Sequence, residues 1–175
     1  MRGVLKLASV KRSTPSMAAA LPNLPMPEAV MVRLVRILAS TMTAYFDPVF
    51  RSIGLTESVF HVLCLLMAAD DGQASPGELT ELVGTSKANM SRILEQLISD
   101  GLVSRTLESM DARRHVIRIT PKGRKIASEA VPKMMEPLLK AFSGLTPQEF
   151  ITLNALMQKA ILSLDTGGIT LQADE

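Results

Sequence analysis

Residues Ser86–Gly123, SKANMSRILEQLISDGLVSRTLESMDARRHVIRITPKG, decide the fold. At 100° per residue, Met90, Ile93, Leu94, Leu97 and Ile98 share one side of a helix, and Ala88, Asn89, Arg92, Glu95 and Gln96 fall on the other. Gly101 stops that helix. Leu102–Leu107 and Val116–Thr120 are β-prone runs bracketing an eight-residue connector, Glu108 to His115, which brings Arg113 and Arg114 to the tip of a hairpin. Asn and Gln can bond an adenine edge with two hydrogen bonds, and Arg can pair with guanine or a phosphate, so the outward helix face has the vocabulary for groove contact. The same residues would also serve an ordinary solvated helix; the flanking geometry tips the balance towards DNA.

Upstream, Ser75-Pro76-Gly77-Glu78 is a helix start, with Ser75 as N-cap, Pro76 in the first turn and Glu78 placed to complete a capping box. This short helix ends near Val83. Gly84 then permits a tight turn into Ser86, the inter-helix spacing of a helix-turn-helix. The expected fold class is mainly α with a small β-hairpin wing: a winged helix-turn-helix over about residues 56–120, with further helices on either side.

Charge is distributed to match. The whole chain of 175 residues is only +2, yet residues 86–125 hold nine bases against Glu95, Asp100, Glu108 and Asp111, a local +5. Residues 28–85, with three bases and seven acids, are −4, and residues 126–175, with three bases and six acids, are −3. Positive charge therefore sits where phosphates would meet it. Residues 1–27 add four bases and no acid. Pro15, Pro22, Pro25 and Pro27 punctuate this stretch, and a disordered head is expected there.

From Glu28 to about Phe46, the residues Met31, Leu34, Val35, Leu38, Met42, Tyr45 and Phe46 recur at spacings of three and four, a long amphipathic helix that Asp47-Pro48 would bend or end. Thr56 caps a helix from Glu57 to about Ala69. Thr120-Pro121 opens another, interrupted or bent at Pro132 and Pro137, and Thr146-Pro147-Gln148-Glu149 opens a last one through Leu164. Aromatics are only 3% of the chain, so two apolar-striped end helices have little use unless they cover something. Pairing them with a second copy would place two recognition helices on successive turns of a palindrome.

Other chemistry is poorly provided for. Cys64, the single cysteine, lies in an apolar run and reads as a core thiol; two His and no Cys cluster leave no metal site to expect. No nucleophile–base pair or glycine-rich phosphate loop is present, so neither an enzyme nor a cofactor is expected. No uninterrupted apolar run reaches the roughly 18 residues of a membrane span, and Lys6, Lys11 and Arg12 break any signal-type apolar region. A cytoplasmic protein without a membrane partner is expected.

GLTESVFHVLCLL (Gly54–Leu66), PGELTELVGTSKANMSRILEQLISDGLVSR (Pro76–Arg105) and DARRHVIRITPKG (Asp111–Gly123) together resemble the MarR family of winged-helix transcription regulators, in order and spacing. The resemblance spans about residues 30–165. It implies a MarR-type domain over 28–165, with dimerisation helices at about 28–53 and 121–165 and a flexible tail at 166–175. It further implies a homodimer on a palindromic operator. Ser86, Lys87, Asn89 and Arg92 would be recognition-helix contacts and Arg113 the wing-tip arginine. With the reading of the helix faces, the expected DNA-binding set is Ser75, Ser86, Lys87, Ala88, Asn89, Arg92, Gln96, Arg113 and Arg114. Ala112 departs from the family, many members of which carry a basic residue there; Arg114 compensates.

A narrower likeness is to the EmrR/MprA branch of multidrug-efflux repressors, through the PxEL start, the Asn89 and Arg92-Ile93 spacing and a C-terminal segment reaching past Leu164. That likeness implies a repressor relieved by a small hydrophobic or phenolic ligand. For a ligand held between the dimerisation helices and the winged helix, the sequence offers Arg33, Arg36, Met42, Tyr45 and His61 as candidate pocket walls. A transcription activator, or a regulator without a ligand, is the alternative that sequence leaves open.

Overall fold

The computed structural model describes residues 2–108 and 111–166, which fall into two compact units, Met1–Met135 and Glu136–Glu175. The first holds helices α1 (Arg2–Ala20), α2 (Met26–Ser52), α3 (Glu57–Ala68), α4 (Pro76–Val83) and α5 (Lys87–Ser99), and strands β1 (Gln73–Ala74), β2 (Val103–Glu108) and β3 (Asp111–Ile119). Helix α6 (Pro121–Ala141) follows, and α7 (Pro147–Thr166) lies in the second unit.

The winged helix assembles from local signals that agree with one another. Thr56 caps α3 by accepting from the Val59 amide. Ser75 and Glu78 close a full capping box on α4, the Ser75 amide donating to Glu78 Oε2 at 2.7 Å and the Glu78 amide to Ser75 Oγ at 3.2 Å. Gly84 ends α4 in the left-handed region at φ 67°, and its amide returns to Thr80 and Glu81. The sheet is antiparallel throughout, in the order β1-β3-β2, with Val103 opposite Ile119, Arg105 opposite Ile117 and Leu107 opposite His115. Ile117 and Ile119 point into the core and Arg118 points out, the alternation of a half-buried strand.

One core serves all these elements. Val59, Val62, Leu63 and Leu66 of α3, Leu79 of α4, and Met90, Ile93, Leu94 and Leu97 of α5 close over Leu102, Val103, Ile117 and Ile119, and Ala127 of α6 joins them. No charged side chain is buried among the described residues. A smaller cluster of Phe46, Phe50 and Met134 joins the ends of α2 and α6.

Several expectations are revised. The head expected to be disordered is helical over residues 2–20, and Pro15 sits inside that helix. Tertiary contacts outweigh the proline: Val10 is 3% exposed, Lys6 Nζ donates to Ser40 Oγ at 2.8 Å, and Arg33 of α2 donates to Ser13 Oγ at 2.9 Å. Helix α2 continues through Asp47-Pro48 to Ser52, with an Asp47–Arg51 ion pair at 2.6 Å spanning the proline. Helix α6 likewise runs through Pro132 and Pro137. Its stripe Gly123, Ala127, Ala130 and Met134 is buried on one side, and packing holds the helix across Pro132. The connector expected over Glu108–His115 shrinks, because β3 already begins at Asp111. The strand β1 had no sequence signal. It is two residues long and is held by Arg118, which donates to Gln73 Oε1 and to the Asp71 carbonyl. By length and mean apolarity α2 could cross a membrane, although Arg33 and Arg36 lie within it. The tail expected to be flexible, from 167 onward, lies outside the described residues.

Candidate nucleic-acid interface

Helix α5 presents two contrasting faces. Met90, Ile93, Leu94 and Leu97 are buried, while Lys87, Ala88, Asn89, Ser91, Arg92, Glu95 and Gln96 are exposed. Ile98, assigned to the apolar side by spacing, is at the margin and exposed. The helix start is tied down on its polar side: Ser86 Oγ accepts from the Asn89 amide at 3.2 Å, and Thr85 Oγ1 accepts from Asn89 Nδ2 at 2.8 Å. Arg92 has no hydrogen-bond or ion-pair partner among the described residues, so its guanidinium is available to an incoming acceptor. Ser75 stands apart from this face, as the cap of the preceding helix. Arg113 and Arg114 lie on β3, and their side chains fall outside the described residues.

The far end of α5 is clamped. The Leu102 amide bonds to the Leu97 carbonyl at 2.9 Å, Thr120 Oγ1 donates to the Gly101 and Leu102 carbonyls, and Lys122 Nζ donates to the Asp100 carbonyl at 2.7 Å. Gly123 lies so close beneath the Leu102 carbonyl that a Cβ there would collide with it. Beside this clamp is a cleft of about 370 Å³. Its floor is apolar, from Ile53, Leu55, Val59, Leu102, Ile126 and Ala130, and Gln96, Asp100, Lys122, Glu129 and Lys133 supply its polar groups. Gln96 belongs to α5 and Asp100 is its C-cap, so this cleft shares a wall with that helix.

The five residues expected to wall a ligand site are scattered. Arg33 is engaged by α1, Arg36 and His61 are exposed, and Met42 packs beside the Phe46–Phe50 cluster. Tyr45 stacks edge-on to Phe46 with ring centroids 5.0 Å apart. None of them lines the cleft beside α5. Its walls come from three segments distant in sequence, 53–59, 96–102 and 122–133, which spacing along any single helix cannot reveal. Burial raises the Cys64 thiol above its ordinary range, in keeping with a core position.

Comparison with known proteins places this geometry. A model of the MarR family matches residues 53–114, which run from the end of α2 into β3. The transcriptional repressor MprA of Escherichia coli K12 is 25% identical over 154 residues, covering 86% of this chain and 88% of its own. The structure of Bordetella bronchiseptica BpsR, described for regulation of its DNA binding by 6-hydroxynicotinic acid, aligns with a TM-score of 0.67 at 26% identity, over 73% of this chain and 89% of BpsR. A mutant form of Escherichia coli MarR in complex with operator DNA shares the fold, with a TM-score of 0.70 at 21% identity over 82% of this chain and 96% of its own. On this agreement of sequence and fold, the winged core over residues 53–114 matches the MarR family of winged helix-turn-helix, DNA-binding transcription regulators, and the chain around it is similar to members of that family.

Proposed function

We propose that the protein is a homodimeric repressor of the MprA type, which holds a palindromic operator in the cytoplasm and releases it when a small hydrophobic or phenolic compound enters the cleft beside α5. One observation carries the reading: the recognition helix has its polar outer face free and its C-terminal end built into the wall of a ligand-sized cleft. Lys87, Ala88, Asn89, Arg92 and Gln96 enter the major groove, with Ser75 and Ser86 towards the phosphate backbone. The wing arginines Arg113 and Arg114 reach an adjacent minor groove, whose negative potential attracts them.

The cleft suits a ligand with an apolar body and a weakly acidic group. The floor takes the body, and Lys133, which has no partner among the described residues, meets the anion. An occupant favours an arrangement of α5 whose spacing from its dimer mate no longer matches the operator half-sites. A second copy covers the exposed stripe of Met31, Val35 and Leu38 on α2, and α7 offers a similar face in Leu156 and Ile161.

Fluorescence anisotropy tests both halves of the proposal. DNA from directly upstream of the protein's own gene is compared with a scrambled duplex, with and without a phenolic uncoupler. Salt-sensitive preference for the first duplex, abolished by the compound in the native chain and retained in Lys133→Glu, is expected. Equal binding to both duplexes would overturn the assignment of that operator, and release unaffected by Lys133→Glu would remove the cleft.

A further inference from the structure

We infer that Thr85, in the turn before the recognition helix, is a positioning residue that fixes the Asn89 amide for reading adenine. This rests on the DNA-binding assignment of α5 and adds to it a base and the residue that sets the choice.

Two successive hydroxyls grip Asn89 by both of its nitrogens. Ser86 Oγ accepts from the backbone amide and Thr85 Oγ1 accepts from the side-chain Nδ2. Thr85 is itself held. It is half-buried, its amide bonds to the Thr80 carbonyl at 3.2 Å, and it follows Gly84, whose left-handed backbone closes the turn. Its β-branched side chain has few χ1 states to sample, so its hydroxyl is a fixed point.

An Asn amide has two N–H donors and one carbonyl acceptor. With one N–H committed to Thr85, a single N–H and Oδ1 remain side by side on an exposed residue. That pair complements the adenine major-groove edge, where N7 accepts and N6–H donates. Guanine presents two acceptors, N7 and O6, and its O6 would face Oδ1 with no proton between them. Without the Thr85 hydroxyl the amide can turn over and offer both N–H groups to guanine. Thr85 therefore acts on the choice between adenine and guanine while touching neither.

Selection from a randomised duplex library by the full-length protein tests this. The native chain should fix an adenine in each half-site, at a position whose preference Asn89→Ala abolishes. Thr85→Val should keep the melting temperature, the salt dependence and the rest of the motif, and lower the preference for adenine over guanine at that position about tenfold. Thr85→Ser should restore it. If Thr85→Val melts early, Thr85→Ala takes its place. Retention of the preference in the hydroxyl-less variant, loss of it in Thr85→Ser, or a motif indifferent to Asn89→Ala would each overturn the inference. Failure of the native chain to select any motif would instead strike the sequence-specific reading beneath it.

Discussion

In the winged core Leu63, Leu66, Leu79, Leu97 and Ile117 are all fully buried, whereas in α7 Leu156, Ile161 and Leu164 keep 59%, 58% and 79% of their surface exposed. The residue types are the same and their use is opposite. Around α5 the buried residues of α3, α4 and α5 face one another within one chain, and the polar face of α5 is left exposed. On α2 and α7 the stripes are equally regular, yet Met31, Val35, Leu38, Phe150 and Ile151 also remain exposed. The core is thus complete as a folding unit, and the end helices carry apolar area that asks for a second surface.

Truncating one leucine in each region should separate the two most strongly. Leu97→Ala, at a site with no exposure, should cost about 3 kcal/mol in denaturant unfolding. Leu156→Ala should leave the unfolding of dilute, monomeric protein within about 0.5 kcal/mol of native. Equal losses would show that α7 is buried within the chain after all. Charging the second region should affect assembly instead of fold. Leu156→Glu combined with Ile161→Glu is expected to weaken self-association about a hundredfold, measured by light scattering across a dilution series, with the helical circular dichroism retained. Persistence of the dimer would move the interface elsewhere.

Within the core, the wing can be separated from the helix. Arg113→Ala should weaken operator binding about tenfold and reduce the slope of log affinity against log salt by about one, as expected for one lost phosphate-region contact. An unchanged slope would take Arg113 off the interface.

The smallest effect compares the two capping boxes. In the second unit Glu149 accepts from both the backbone amide and the hydroxyl of Thr146, and these bonds, the backbone one foremost, lower its carboxyl below the ordinary glutamate range. A depressed folded value means the cap is fully present above the unfolded glutamate range and is lost as pH falls through the folded value. Acidification should therefore loosen the first turn of α7 at a pH below the ordinary glutamate midpoint, followed by amide exchange at residues 148–150. A midpoint at the ordinary value would mean that the cap is open in solution.

Local chemistry made much of this architecture legible. Ser75 to Glu78, Gly84 and Ser86 mark the helix-turn-helix because each satisfies a backbone requirement within four residues of itself. The face of α5 could be read because burial follows a 3.6-residue period. Long-range chemistry hid the rest. Helix α1 contains a proline and is stabilised by what Val10, Ser13 and Lys6 meet on α2, which no local window reveals. Strand β1 exists because Arg118, 45 positions away, holds Gln73. The cleft was missed for the same reason, and Thr85 was passed over because its importance lies in one side-chain hydrogen bond to Asn89.

The clamp between Thr120–Gly123 and the 100–102 turn has a mechanical meaning. Hydroxyl, ammonium and bare Cα at the start of α6 grip three successive residues just past α5, leaving no slack at the joint. A small rotation of the first turns of α6 is therefore transmitted to the recognition helix instead of being absorbed, as a crank turns its shaft.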